Sequence, residues 1–398
     1  MSTLRVDNIR HNSATSDAIT TAADGTCTAK LTSINGGSQL SHRNIVINGD
    51  MRVAQRSVGP VAVSDGSNEN YQTIDRMRFS FGNSAAGACN ISQSTDAPTT
   101  LGFTKSHKVD VTTVNTTASG QQVIQLFYRI EGQDLRNSGW NHLSSSSFLT
   151  LSFYFKTTKT GTSKLPIMFR TRHGTNYYYV KNVTVTDPTN WNRYTVTIPG
   201  NSNIQIDDAI TTGMDINFTY YSGPDKDTSS EGSWSSTNAY STSDSTNYFD
   251  STSNDMFITG IQLEVGDTAT SFEHRSYGEE LTRCLRYFYQ SSHWGTASGT
   301  GYAALGVNYT GYQTSNGNWI WVTCYLPVVM RAAPTLDTSD QVGNTGNKHS
   351  IFTSTGGART NNVTNYHTSP YNDHFTVSNY NETKYGMQVS GVKADAEL

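Results

Sequence analysis

The run Leu149-Thr150-Leu151-Ser152-Phe153-Tyr154-Phe155-Lys156 sets the tightest limit on what this chain can become. Apolar side chains fall at 149, 151, 153 and 155, while Thr150, Ser152, Tyr154 and Lys156 point the other way. A period of two is the pattern of a strand with one buried and one wet face. Tyr194, Val196 and Ile198 repeat it against Thr195 and Thr197. Ile261, Leu263 and Val265 repeat it against Gln262 and Glu264, which puts Glu264 on a solvated face. Between Asn44 and Arg275 many such runs are punctuated by Gly, Asn, Asp and Pro. They predict an all-β chain of antiparallel β-sandwich or jelly-roll domains.

Composition agrees. Charged residues make up only 15% of the 398, and Ser, Thr, Asn and 33 Gly fill the balance. Thr, Tyr, Phe and Val suit a pleated, half-buried surface, and Gly, Asn and Ser suit tight turns. An aromatic share of 11% sets the chain apart from disordered sequences, which are poor in rings. Lys+Arg number 28 against 32 Asp+Glu, a net charge of −4. No basic excess is on hand for a phosphate backbone, so nucleic acid is not an expected partner, whereas hydroxyl-rich glycans need no such charge.

The four cysteines, Cys27, Cys89, Cys284 and Cys324, are widely spaced without a CxxC pair, and read as free, mostly buried thiols. The opening MSTLRVDNIR has no apolar run, so no secretory signal is expected, and no stretch nears the ~20 apolar residues of a membrane span. The expectation is a protein made in a cytoplasm without membrane insertion; if it works outside a cell it leaves by another route, such as assembly into a particle released by lysis.

Residues 1–43 carry short apolar pieces (Leu4, Val6, Ile9, Ile19, Leu31, Ile34) that cannot bury a core alone, and read as an extended N-terminal arm. Residues 44–275 form the main sandwich. Within it, 15 of the 31 residues from Asp225 to Asp255 are Ser or Thr, a long loop set with Trp234, Tyr240, Tyr248 and Phe249. A short linking helix follows in 276–290. Ser276-Tyr277-Gly278-Glu279 is a capping box, and Leu281, Cys284, Leu285 and Phe288 recur at helical spacing, a stripe expected to pack between the main and last domains. Residues 291–398 return to strand signals, notably Trp319-Ile320-Trp321-Val322-Thr323-Cys324-Tyr325-Leu326, and predict a C-terminal β-sandwich in which Trp319 and Trp321 pack into the core.

Several segments resemble a known group. Asn44-Ile45-Val46-Ile47-Asn48-Gly49-Asp50-Met51 with Gln55-Arg56 is similar to the NxxxNGDMxxxQR opening of bacteriophage virion proteins, many from viruses of marine bacteria and cyanobacteria. Gly260-Ile261-Gln262-Leu263-Glu264-Val265-Gly266, running on to Thr270-Ser271-Phe272-Glu273-His274-Arg275-Ser276-Tyr277, resembles the closing strand of the same domain. Leu281 to Tyr289 is similar to the helix after it, and Phe127 to Leu135 adds a fourth match, so the set spans roughly 44 to 290. Met1 to Ile9 also looks like the start of such fibre proteins. The resemblance implies a carbohydrate-binding-module-like jelly roll used in tail fibres and other virion appendages. It supplies no catalytic residues, and it does not extend over 291–398.

A glycan depolymerase needs two carboxylates across a cleft. Asp110, Glu131, Asp134 and Glu264 are available, yet no spacing pairs them, no coil-by-coil repeat is present, and no GxSxG elbow occurs. His367, Asp373 and His374 lack a ligand spacing and read as an exposed polar loop. The chain is therefore expected to be no enzyme and to need no cofactor or metal. Sugars offer C–H faces that stack on rings and hydroxyls that suit Asn, Asp and Gln. Tyr177-Tyr178-Tyr179, and Trp294 with Tyr302, lie beside such polar residues, and Tyr178, Trp234 and Trp294 are the candidate stacking rings.

The expected function is a structural virion protein: a tail fibre or receptor-binding adhesin, working as a homotrimer. Residues 1–43 would attach to other virion proteins, and the sandwich would grip a host cell-surface glycan. A capsid-bound decoration protein or head fibre is the alternative, and a polysaccharide depolymerase the second.

Overall fold

The computed structural model describes residues 43–291 apart from 68 and 116–119, then 309–312, 318–340, 344–352, 358–362, 365–381, 386–389 and 391–398. Before 43 it describes 8–9, 19–21, 23 and 27–29. Three short strands, β1 (Asn8–Ile9), β2 (Ile19–Thr21) and β3 (Cys27–Ala29), pair antiparallel in the arm.

Twelve strands then build the main sandwich: β4 (Val61–Ser64), β5 (Arg78–Gly82), β6 (Ala88–Ser94), β7 (Ser106–Thr113), β8 (Val123–Glu131), β9 (Phe148–Thr157), β10 (Ser163–Thr171), β11 (Tyr178–Val185), β12 (Asn192–Pro199), β13 (Thr212–Ser222), β14 (Trp234–Ser235) and β15 (Asp255–Val265). One sheet runs β14-β11-β10-β13-β8-β5 and the other β12-β9-β15-β7-β6-β4. Every pairing is antiparallel, and non-sequential neighbours show the crossovers of a jelly roll.

The period-two pattern explains the core. Leu149, Leu151, Phe153 and Phe155 point inward from β9, and Ile216, Phe218 and Tyr220 point inward from β13. Phe153 meets Phe218 edge-on with centroids 5.0 Å apart. Each such ring, fully removed from water, contributes about 1.5–3 kcal/mol. His107 also lies between the sheets, 1% exposed, its ring lying nearly parallel to Phe79. Burial holds its pKa down at about 3. The unfolded chain therefore takes up a proton below about pH 6.5 that the folded one refuses, and stability falls from there down to about pH 3, by up to roughly 1.4 kcal/mol per unit. Asp75 acts in the opposite sense. Burial, offset in part by Arg56, raises it to about 6, so its protonation adds stability as pH falls from about 6. Replacing His107 with Leu should thus stabilise the protein relative to the parent progressively from pH 7 to pH 4 in urea melts. A pH-independent difference would contradict this.

The face expected to be wet on β9 and β15 is covered. Thr150 and Ser152 are 1% exposed and Glu264 is 3% exposed. Residues 267–274 strap across this face: the Glu264 carboxylate accepts from the Thr270 main-chain N–H at 2.9 Å and hydroxyl at 2.6 Å, and Gln262 donates to Glu264 at 2.9 Å. Alternation reports that two faces differ, and the polar one here meets a polar strap instead of water.

The Asn44–Arg56 segment is a structural bolt. Asn44 donates its amide to Ile261 O at 3.0 Å and accepts from Leu263 N, which ties the start of the domain to its closing strand. Asn48, at φ 60°, accepts from Val53 N and donates to Val53 O and Asp75 O. A bulge in β15 between Thr259 and Gln262 is permitted by Gly260, at φ +63°, where a Cβ would stand 2.8 Å from the Phe103 and Tyr154 rings.

Two helices complete the sandwich, α1 (Gly132–Asn137) and α2 (Tyr277–Leu285). The Ser276 hydroxyl accepts from Glu279 N at 3.2 Å, as the capping box requires, while Glu279 pairs forward with Arg283 at 3.1 Å. Of the expected apolar stripe, Cys284 and Phe288 are buried and Leu281 packs half-buried against the core. Glu280 and Cys284 are the buried residues of α2, Glu280 receiving Arg275 at 2.8 Å, and Phe288 belongs to a strand.

That strand, β16 (Phe288–Gln290), opens the C-terminal part. It is followed by β17 (Tyr309–Tyr312), β18 (Asn318–Tyr325), β19 (Thr335–Ser339), β20 (Lys348–Phe352), β21 (Ala358–Asn362), β22 (Asn365–Thr368), β23 (His374–Asn381), β24 (Gly386–Val389) and β25 (Gly391–Asp395). Three small antiparallel sheets, β16-β25-β19, β17-β24-β20-β21 and β18-β23-β22, enclose a second core with Val322, Cys324, Phe375, Val377 and Val389. The last residues return to the first sandwich, where Glu397 meets Arg56 at 3.5 Å and also pairs with buried Arg76. Cys89, Cys284 and Cys324 are free and buried, and the Cys27 side chain lies outside the described residues.

Candidate functional site

The three expected stacking rings have different fates. Tyr178 is 7% exposed, packed with Val123, Met168, Val180 and Tyr240, so it is corrected from an open platform to a buried ring. The Ser/Thr-rich loop brings Tyr240 down over it, with centroids 6.4 Å apart. Trp234 is half-buried: its ring lies against Tyr179 at 5.4 Å, and its indole N–H donates to Pro199 O at 2.7 Å. It packs against the edge of the core with part of its surface exposed. Trp294, like Tyr302, lies outside the described residues.

The loop itself is folded, with Tyr248 and Phe249 in the core. Where it recrosses β10 and β13 it leaves a cleft of about 260 Å³, whose lining includes Pro166, Thr219, Tyr221, Asp227, Ser241 and Thr242. Its walls are largely hydroxyls, and several already bond to one another: Ser241 to Asp227 at 2.5 Å, and Thr242 to Asp244 at 2.6 Å.

The open aromatic surface lies on β18-β23-β22. Along β18, Val322 and Cys324 turn inward, as does Leu326 just past its end, and Trp321, Thr323 and Tyr325 turn out. Trp321 is 52% exposed, Tyr325 65% and Tyr371, in the turn before β23, 75%. The expectation of Trp321 in the core is overturned because Phe375 and Val377 of β23 pack on the opposite, smaller-residue face. The Trp319 side chain lies outside the described residues. In register, Trp321 stands opposite Ser378, Thr323 opposite Thr376, and Tyr325 opposite His374. Small side chains on the middle strand let Trp321 approach His367 of β22 to 5.2 Å, and Tyr325 lies 5.6 Å from His374 of the middle strand itself. The result is a set of mutually tilted rings interleaved with hydroxyls. Trp321 and Tyr325 are four residues apart on one face, ~13 Å along the strand. The signal was in the sequence, since Val322, Cys324 and Leu326 alternate as strictly as their neighbours.

The carboxylates weighed for catalysis are mostly committed elsewhere. Glu131 is fully buried, receiving the Tyr287 hydroxyl at 2.5 Å and Arg286 at 3.1 Å. Glu264 is held by the strap. Asp110 faces Asp255 across β7 and β15, with Lys108 on Asp255 at 3.1 Å. Burial raises the Asp255 carboxyl, and its neighbour Asp110 adds to the shift while Lys108 opposes it. Among the described residues no three His, Cys, Asp or Glu side chains gather as a metal-ligand set, and no helix is long and apolar enough to cross a membrane.

No protein-family model matches the chain, and no curated protein matches it in sequence. Among solved structures, it is similar to the enzymatically active domain of tailspike protein 4 of bacteriophage CBA120, at 13% identity and a TM-score of 0.29, over 56% of this chain and 21% of that one. The family 11 carbohydrate-binding module of Clostridium thermocellum in complex with a β-1,3-1,4-mixed-linked tetrasaccharide is similar at 12% identity and a TM-score of 0.26, over 54% and 96%. The xylan-binding CBM22-1 domain of Paenibacillus barcinonensis Xyn10C is similar at 9% and 0.25, over 55% and 100%. The sandwich assignment itself rests on the strand pairing described above.

Proposed function

We propose that this chain is a non-enzymatic attachment protein of a bacteriophage particle that holds host cell-surface glycans. The observation that carries the proposal is the exposed pair Trp321 and Tyr325 on one face of β18, beside Thr323, Thr376 and two histidines. Exposed rings supply stacking faces for sugar C–H groups, and neighbouring hydroxyls supply donors and acceptors. The virion setting is supported by the sequence resemblance over residues 44–290. In this proposal residues 1–43 attach to other virion proteins and three chains associate.

A single shallow stacking site binds one sugar at about millimolar strength, near −4 kcal/mol. Several copies on one particle raise the effective affinity by ~10² to 10⁴ where geometry lets them engage together. A rigid sheet face serves this because little entropy is lost on docking.

The test incubates the purified oligomer, expected at about three times 43.6 kDa by light scattering, with host envelope polysaccharide. Retention with unchanged polysaccharide length is the expected result. Shortened chains would move the protein to the depolymerase class. Absence of retention would favour a capsid-decoration role.

A further inference from the structure

The outer face of the first sheet carries more positive charge than its own acids neutralise. Strand register sets Arg129 of β8, Asp215 of β13 and Arg170 of β10 side by side. Arg172, just past the end of β10, joins them, reaching Asp215 at 3.4 Å, while Arg129 reaches it at 3.5 Å. Arg170 grips the same carboxylate through Nε at 2.9 Å and donates to the Tyr240 hydroxyl at 3.2 Å. One row away on β5, Arg78 lies over Phe127 at 5.0 Å, and Arg129 covers the same ring at 5.3 Å.

Three guanidinium groups thus share one carboxylate, Arg129 also reaching the main-chain oxygen of Leu398, and a fourth, Arg78, stands beside them over Phe127. Glu69 is the next acid, acting on Arg78 without an ion-pair contact. Arg78 Nε has no hydrogen-bond partner among the described residues, and Arg129 Nε has only its 3.5 Å approach to Asp215. The crowding is felt by the arginines themselves. Burial lowers Arg129 and Arg172, Asp215 opposes this, and neighbouring arginines add to the lowering. The side chains of Arg129, Arg170 and Arg172 remain 14%, 13% and 28% exposed, so the cluster is reachable from solvent.

We propose that this arginine row takes the anionic groups of an acidic polysaccharide, carboxylate or sulfate, which makes acidic glycans the preferred class of ligand. Planar guanidinium forks match such groups in a bidentate fashion, and a second anion relieves the repulsion that a single Asp215 leaves. The inference rests on the glycan-binding proposal above and uses a different face of the molecule from the aromatic row.

The experiment measures binding of the full chain to a neutral mixed-linked glucan, to polygalacturonate and to dextran sulfate. It compares the parent with the double variant Arg78→Gln/Arg172→Gln and with Arg283→Gln, which removes a positive charge elsewhere. Arg78 and Arg172 are chosen because Arg170, the residue gripping Asp215 most closely, is left in place. The double variant is expected to lose about tenfold or more in affinity for an acidic chain, with neutral binding and Arg283→Gln at parental levels. Binding of polygalacturonate alone or dextran sulfate alone supports the inference and identifies the anion. Acidic binding unchanged in the double variant overturns it, as does binding of the neutral glucan alone, which leaves the glycan proposal standing. Binding of none of the three overturns both.

Discussion

Replacing Glu397 with alanine should destabilise the protein by about 3–5 kcal/mol, the usual cost of stranding one member of a buried ion pair. Arg76 is fully buried, stacked over Tyr287 at 3.5 Å and donating to Arg129 O at 2.7 Å. Its partner carboxylate comes from Glu397, more than 300 residues away in sequence, at |i−j| = 321. The same carboxylate meets Arg56, which covers Phe288 at 3.5 Å and pairs with Asp395 at 3.1 Å. Glu397 therefore fastens the end of the chain to the first sandwich, and its loss leaves Arg76 charged without a counter-ion. Urea melts followed by near-ultraviolet circular dichroism give the number. A Glu397→Ala variant within about 1 kcal/mol of the parent would show that the Arg76 site is solvated or neutralised another way.

Gly49→Ala should be nearly as damaging, for a steric reason. A Cβ there would sit 2.0 Å from the carbonyl oxygen of Ile261, which is main chain and cannot rotate away. Retreat is blocked because Ile261 N donates to Gly49 O at 2.9 Å and Asn44 donates to Ile261 O at 3.0 Å. Overpacking ordinarily costs about 1–3 kcal/mol, and a backbone-to-backbone clash belongs at or above the upper end. For a sandwich of this size each kcal/mol lowers the melting temperature by roughly 2–4 °C. A drop of roughly 6 °C or more is expected by calorimetry, and a melt matching the parent would mean that the segment is not bolted to β15 as described.

These two sites show what alternation conveys and what it leaves out. The paired segments Leu149–Lys156 and Tyr194–Ile198 were legible as strands because their apolar face has one destination, the core between the sheets. Thr150, Ser152 and Glu264 were misplaced into solvent because their cover comes from residues 267–274, a strap that has no periodicity of its own. The same limit explains Tyr178. Its neighbours Tyr177 and Tyr179 gave no sign that Tyr240, some sixty positions on, would close over it. In α2 the cap was readable, since Ser276 and Glu279 are local, whereas the burial of Glu280 depends on Arg275 and on Asn48, which donates its main-chain N–H to the same carboxylate. Trp321 lies outside the core because Phe375 and Val377 of β23 pack on the face of Val322 and Cys324, although larger rings line the other face.

In the proposed function the exposed rings on β18-β23-β22 hold sugar. Titrating host envelope oligosaccharide into the parent and into Trp321→Ala/Tyr325→Ala by calorimetry tests it most directly, because both rings are surface residues whose loss should shift stability by no more than about 0.5 kcal/mol each. Measurable heat is expected for the parent, with at least a tenfold weaker affinity for the variant (about 1.4 kcal/mol) and nearly unchanged melting temperatures. Equal binding by parent and variant, with both folded, would contradict it.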